Sequence, residues 1–231
     1  MSDSKAARLE AVRRDSATPL IFLYKKGART KHLVELLKSE LPRIISEHHK
    51  TAVVYFWSGT CDITKKNKRY IELRKAGDKI PRSIYKHFVR AKDFVLSLGC
   101  RIKFIGVPIY LVTLYNDIKG HINPVKFLDQ DEEVEKQVNI VNNYIVSLNQ
   151  ELSRYTLKFN ADLRDNRHKS KKYFFELLED GLHPGELLSR KWLRRLELDI
   201  VSECYRIADT IEIDQQEYLA FENEEIRKNG V

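Results

Sequence analysis

Short apolar runs of strand length alternate with long amphipathic segments, and this alternation leaves few architectures open. Pro19–Tyr24, Ala52–Trp57, Arg101–Val107 and Tyr155–Phe159 are the four runs. A short apolar run bounded by turn signals suits a strand buried on both faces. Between them lie helical patterns. Thr30–Glu47 puts Leu33, Leu36, Leu37, Leu41, Ile44 and Ile45 on one face, with Pro42 as a point of bending. Pro81–Leu98 is amphipathic and is stopped by Gly99, while Asp131–Leu152 carries Val134, Val138, Val141, Ile145 and Leu148 at helical spacing. Lys5–Arg14 also has helical propensity, and a further helix runs through Leu187, Leu188, Trp192, Leu196 and Ile200. Strand–helix alternation of this kind predicts a three-layer α/β/α sandwich around a mostly parallel sheet. Ligands of such sheets bind at the carboxyl ends of the strands.

Two connections have no such pattern. Lys65–Lys79 is basic and polar and reads as an irregular loop, and Pro108–Gln130 is long and turn-rich, a length that suits part of a lid over a pocket. The last segment, Asp209–Val231, has seven acidic residues against Arg227 and Lys228. It reads as an acidic tail or a loosely docked helix following one domain over residues 1–208.

Composition narrows the setting. No run of 18 apolar residues is present and the first residues are charged, so neither a membrane span nor a secretory signal is expected. Cys61, Cys100 and Cys204 are odd in number and far apart, which fits reduced thiols in an intracellular, cytoplasmic protein. No phosphate-binding glycine loop or metal-ligand spacing occurs, so neither a cofactor nor a metal is expected. A net charge of +8 and a pI near 9.2 permit attraction to nucleic acid or to an anionic membrane surface. The basic clusters are Arg164–Lys172 and Arg190–Arg195. Neither accompanies a recognisable RNA-binding motif, and oligomeric state has no sequence signal.

Asp180-Gly181-Leu182-His183-Pro184 is the stretch with the clearest chemistry. A carboxylate three residues before an imidazole can hold one ring nitrogen and leave the other to take a proton from a hydroxyl. The plainer reading makes Asp180 the cap of a helix opened by Pro184. Three further segments fall in a suggestive order: Ser2-Asp3-Ser4, Gly27 in Lys26-Gly27-Ala28, and Trp57-Ser58-Gly59-Thr60-Cys61-Asp62.

In that order, with Asp180 and His183 last, the chain resembles the SGNH, or GDSL-type, hydrolases over residues 2–200. The resemblance implies a flavodoxin-like α/β/α sandwich and a serine esterase or acyl hydrolase acting on a small-molecule or acylated substrate. It implies Ser4 as nucleophile, His183 as base and Asp180 as its orienter, with the Ser4 and Gly27 amides forming the oxyanion hole. Two departures stand out: Ser2 occupies the place of the family's first-block glycine, and Cys61 the place of the third-block Asn, an oxyanion-hole donor. A thiol donates poorly, so turnover is expected to be impaired. The family also places a central strand before its nucleophile, where this chain has only Met1. That strand is expected to be missing and the first residues poorly held. SGNH-like domains occur in retroelement reading frames, a setting this basic chain would suit. The alternative is an inactive module that keeps the fold and binds nucleic acid or protein through its basic surface. A weaker reading makes Cys61 the nucleophile, paired with His183.

Overall fold

In the computed structural model, residues 1–13, 20–48, 52–163 and 173–205 are described. The chain divides into two compact units, Met1–Leu193 and Arg194–Val231. Of the second, residues 194–205 are described and are helical. The expected boundary at residue 208, the acidic tail and the Arg164–Lys172 cluster lie outside the described residues.

The first unit is the α/β fold that the alternation predicts. Its elements are α1 (Ser4–Ala11), α2 (Thr30–His48), β1 (Val53–Phe56), α3 (Thr60–Ile63), β2 (Thr64–Asn67), β3 (Tyr70–Leu73), α4 (Lys79–Ser97), β4 (Arg101–Phe104), α5 (Val112–Ile118) and α6 (Leu128–Glu151). β1 and β4 pair in parallel, Val53 opposite Arg101 through Phe56 opposite Phe104.

Main-chain bonds extend this pair on both sides. Ser2 forms parallel bridges to both Tyr24 and Trp57. The Ser2 amide donates to the Leu23 carbonyl (2.9 Å), the Lys25 amide to that of Ser2 (3.2 Å) and the Trp57 amide to that of Met1 (3.0 Å). Beyond β4, the Gly106 amide donates to the Leu157 carbonyl at 3.1 Å. The spatial order is therefore 20–24, Met1–Ser2, β1, β4, 154–158, a doubly wound order of the flavodoxin kind. The expectation of poorly held first residues is corrected here. Met1 and Ser2 occupy the central place, and a clamp from both neighbours fixes them.

The outer runs form no strand ladders, and β4 shows why on its side. Asn149 accepts from the Phe104 amide (2.9 Å) and donates to the Phe104 carbonyl (2.8 Å), and Asn142 does the same at Val107 (2.7 and 2.9 Å). These side chains lie two turns apart on one face of α6 and satisfy main-chain groups that a neighbouring strand would otherwise take.

Phe56 and Trp57 are successive and must point to opposite faces. Phe56 meets Phe88 of α4 and Phe104 of β4 (ring centroids 6.0 Å each), whereas Trp57 meets Phe159 and Trp192 (5.1 and 5.5 Å). All six rings of these two clusters are fully or almost fully buried. The two clusters give the sheet a core on each side.

Two loop expectations are corrected. Lys65–Lys79 contains the antiparallel hairpin β2–β3, with Thr64 opposite Leu73 and Asn67 opposite Tyr70, and Lys68 takes a positive φ of 54° in its turn. Lys65, Lys66 and Asn67 face solvent, so no apolar alternation announces the strand. Its order comes from elsewhere: buried Asn116 of α5 accepts from the Ile71 amide and donates to the Ile71 carbonyl, both at 2.8 Å. Pro108–Gln130 contains α5, a 3₁₀ turn at Pro124–Phe127 and the start of α6. Conversely, residues 154–158 form no strand ladder and run into a 3₁₀ turn at Phe159–Leu163.

Asn149→Ala is expected to lower unfolding stability by about 2–3 kcal/mol, because it strands the buried Phe104 amide and carbonyl together. Urea denaturation checks this, and a change below about 0.5 kcal/mol would show that water replaces the amide.

Candidate active site

Ser4 is the first residue of α1, two residues beyond the clamp at Ser2. Asp3 caps the helix by accepting from the Lys5 amide at 3.1 Å. The same carboxylate holds the Lys5 ammonium at 2.8 Å, with both side chains almost wholly buried. Lys5 also lies 5.6 Å from the Trp57 ring. Two opposite charges buried together are tolerable because each is matched.

Asp180 and His183 sit on a loop closed at its neck. Leu178 and Pro184 form an antiparallel bridge, and the Glu179 amide donates to the His183 carbonyl at 2.8 Å. Asp180 is not a helix cap, since the following helix starts at residue 186. Its Oδ1 instead accepts from the His183 and Leu182 amides (2.8 and 3.2 Å), and its carboxylate holds His183 Nδ1 at 2.9 and 3.0 Å. A carboxylate can only accept, so Nδ1 carries the proton and Nε2 is the bare nitrogen. Nε2 faces Ser4 Oγ at 2.7 Å, and the hydroxyl donates to it. The structure thus brings together Ser4, His183 and Asp180 from opposite ends of the first unit.

Burial pushes the Asp180 carboxyl up, but the His183 ring, by hydrogen bond and charge, and the two amides more than reverse this. The group is held well below its ordinary value of 3.8.

Residues to which the motifs gave no role complete the arrangement. Arg8, one turn after Ser4 on α1, grips Glu179 through two contacts of 2.7 and 3.1 Å and ties the serine's helix to the histidine's loop. Gly181 has φ +77°, and a Cβ there would lie 2.9 Å from the Tyr115 amide nitrogen and 3.0 Å from Leu114. The loop rests directly on α5 as a result. Lys119, at the end of α5, reaches Asp180 Oδ2 at 3.6 Å. Arg8 stands four residues from Ser4, a spacing readable in the sequence. Gly181, Tyr115 and Lys119 act through contacts distant in sequence.

The remaining motif residues lie in turns and caps of the same unit. Gly27 has φ +68° in the turn after Lys25, and neither its amide nor that of Ser4 has an acceptor among the described residues. Gly59 has φ +127° and precedes α3. Asp62 accepts from the Thr30 amide and hydroxyl, each at 2.8 Å, and Thr30 also meets Ser58 at 3.0 Å, which fastens the start of α2 to the third block. The Cys61 thiol lies 3.9 Å from Asp3 Oδ2. Burial, with the nearby Asp3 charge, pushes it up to about 12. A thiol this hard to ionise does not suit the Cys61-nucleophile reading.

No family model matches the chain, and no curated protein matches it significantly. Solved structures do match. A GDSL-like lipase from Bacteroides thetaiotaomicron superposes with a TM-score of 0.63 at 10% identity, over 87% of this chain and 86% of its own. The fold is of the SGNH, or GDSL-like, hydrolase type. A proposed lipolytic protein of the G-D-S-L family from Desulfitobacterium hafniense gives 0.54 at 13% identity, over 84% and 95% of the two chains. The acetyl xylan esterase AlAXEase gives 0.53 at 13%, over 86% and 98%. The GDSL-like architecture thus extends across most of this chain at very low identity. No described helix is long and apolar enough to cross a membrane, and the described residues hold no cluster suited to a metal ion.

Removing one member of the buried pair by Asp3→Ala leaves Lys5 uncompensated and is expected to cost about 3–5 kcal/mol. Asp3→Asn with Lys5→Met should recover much of that loss, as read by urea denaturation.

Asp180 gives a pH signature. Its folded value lies below the unfolded 3.8, so its ionised form stabilises the fold above about pH 4 and that contribution drains away as pH falls further. Asp180→Asn should therefore flatten the acid limb of the stability curve below pH 4. Parallel acid limbs in parent and variant would show that Asp180 is not the linked group.

Proposed function

We propose that this chain is a serine ester hydrolase of the SGNH type, acting on a small acylated substrate. The 2.7 Å contact between Ser4 Oγ and His183 Nε2, with Nδ1 held by Asp180, carries the reading. Ser4 Oγ attacks the acyl carbon while its proton passes to His183 Nε2, and Asp180 stabilises the imidazolium that forms. The Ser4 and Gly27 amides, which lack acceptors among the described residues, receive the developing oxyanion. Collapse of the tetrahedral adduct expels the alcohol with the proton returned by His183. Water then releases the acyl group from Ser4 by the same path.

Cys61 sets the expected rate. In the motif resemblance Cys61 stands at the position of an Asn donor, its thiol lies beside Asp3, and loss of one oxyanion donor lowers turnover by about 10²–10³. Cys61 is also the observation that favours a second reading, an inactive module retaining the fold for binding.

A fluorophosphonate probe and hydrolysis of short p-nitrophenyl esters separate the two. Labelling at Ser4, loss of turnover in Ser4→Ala and His183→Ala, and a gain in Cys61→Asn are expected. Turnover that survives Ser4→Ala would overturn the assignment. No labelling and no turnover, even in Cys61→Asn, would favour the binding module.

A further inference from the structure

Of the twelve large apolar side chains exposed among the described residues, Ile118, Ile122, Val125 and Leu128 fall within one stretch of eleven residues. Their exposures are 48, 102, 61 and 53%. This clustering is not the scattered surface apolarity of an ordinary globular protein. The stretch joins α5 to α6, and it is fixed rather than loose. Phe127 is buried beneath it, and the His121 ring stacks edgewise between Tyr70 and Phe127, at 4.7 and 5.1 Å. From the β2–β3 hairpin, Arg69 and the Tyr70 hydroxyl both donate to the Gly120 carbonyl, at 3.3 and 3.1 Å.

Those contacts join the hairpin tip to the apolar stretch as one surface, and the tip is cationic. Lys66, Lys68 and Arg69 stand there with no acid between residues 64 and 70, and Lys126 adds a fourth cation within the stretch. Glu72 is taken up by Lys65 at 3.0 Å and Lys119 by Asp180, so exposed Asp117 and Asp129 are the acids set against those four.

We propose that this surface seats the protein on an anionic lipid bilayer. Exposed aliphatic side chains beside a cationic hairpin tip match a headgroup boundary, where the apolar groups enter the acyl region and the cations meet anionic headgroups. A protein partner is a poorer fit, because interface cores favour aromatics and are depleted of Lys. A nucleic acid would meet the cations but gives exposed Ile, Val and Leu nothing to contact. The stretch adjoins the candidate site: Gly181 rests on Leu114 and Tyr115 of α5, and Lys119 reaches Asp180. Seating on a bilayer would present lipid esters to that side of the molecule.

Co-sedimentation of the purified chain with vesicles tests this without reference to hydrolysis. Mixed phosphatidylcholine–phosphatidylserine vesicles are expected to bind the parent, with pure phosphatidylcholine vesicles much weaker. Ile122→Ser with Val125→Ser should weaken partitioning at least about tenfold. Lys68→Gln and Lys126→Gln should each weaken it about fivefold. These positions are exposed, and unchanged circular dichroism melting curves will show that the variants fold. Absence of binding to the mixed vesicles overturns the proposal, as does equal binding by the parent and the Ile122→Ser/Val125→Ser variant, which would mean net charge alone is responsible. Self-association of the free protein that the same double substitution abolishes, with no vesicle binding, would assign the patch to a second copy of the chain instead.

Discussion

The main-chain clamp on Met1 and Ser2 is the constraint from which the site follows. Two residues bonded on one side to residues 23–25 and on the other to Trp57 have almost no freedom, so the next turn of chain leaves the sheet in a fixed direction. Asp3 caps that turn, and the buried Asp3–Lys5 pair holds it against Trp57. Ser4 is therefore placed by backbone geometry at the carboxyl-end rim, where a parallel sheet of this order leaves its crevice.

The other half of the site is held by a different kind of support. The Asp180–His183 loop has no regular structure of its own, yet it is closed at Leu178–Pro184, laid on α5 at Gly181 and tied to α1 through Arg8 and Glu179. The Arg8–Glu179 pair is exposed and contributes little to stability. It acts on position, since it spans the two elements whose separation sets the Ser4–His183 distance. The Asp180 carboxylate then serves both loop and ring, because it accepts from two amides as well as from Nδ1.

Side-chain amides do much of the work of ordinary strand pairing elsewhere. Asn142 and Asn149 dress the open side of β4 and the residues after it, and Asn116 fixes the hairpin to α5. This lets the sheet keep a doubly wound order although its outer members form no strand ladders. It also gives α5 fixed neighbours on two sides: the hairpin through Ile71 and Gly120, and the Asp180 loop through Gly181.

The sequence by itself determined the α/β alternation, the helices read over Thr30–Glu47, Pro81–Leu98 and Asp131–Leu152, and the order of motifs whose family resemblance points to Ser4, Asp180 and His183. Periodicity is a local property and is enough for the helices and the alternation, whereas the pairing of Ser4 with Asp180 and His183 rests on the resemblance of the motif order to a family. Tertiary structure decided the rest. Ser2 reads as a terminal residue, and its central place exists only because segments 23–25 and 55–57 close on it. The first strand of the hairpin, Thr64–Asn67, has no apolar alternation, and buried Asn116 fixes the second from 45 residues away. The roles of Lys119, Tyr115 and Gly181, and the thiol of Cys61 turned to Asp3, are contacts between distant parts of the chain. No window of sequence contains them, since each is set by packing that only the folded chain provides.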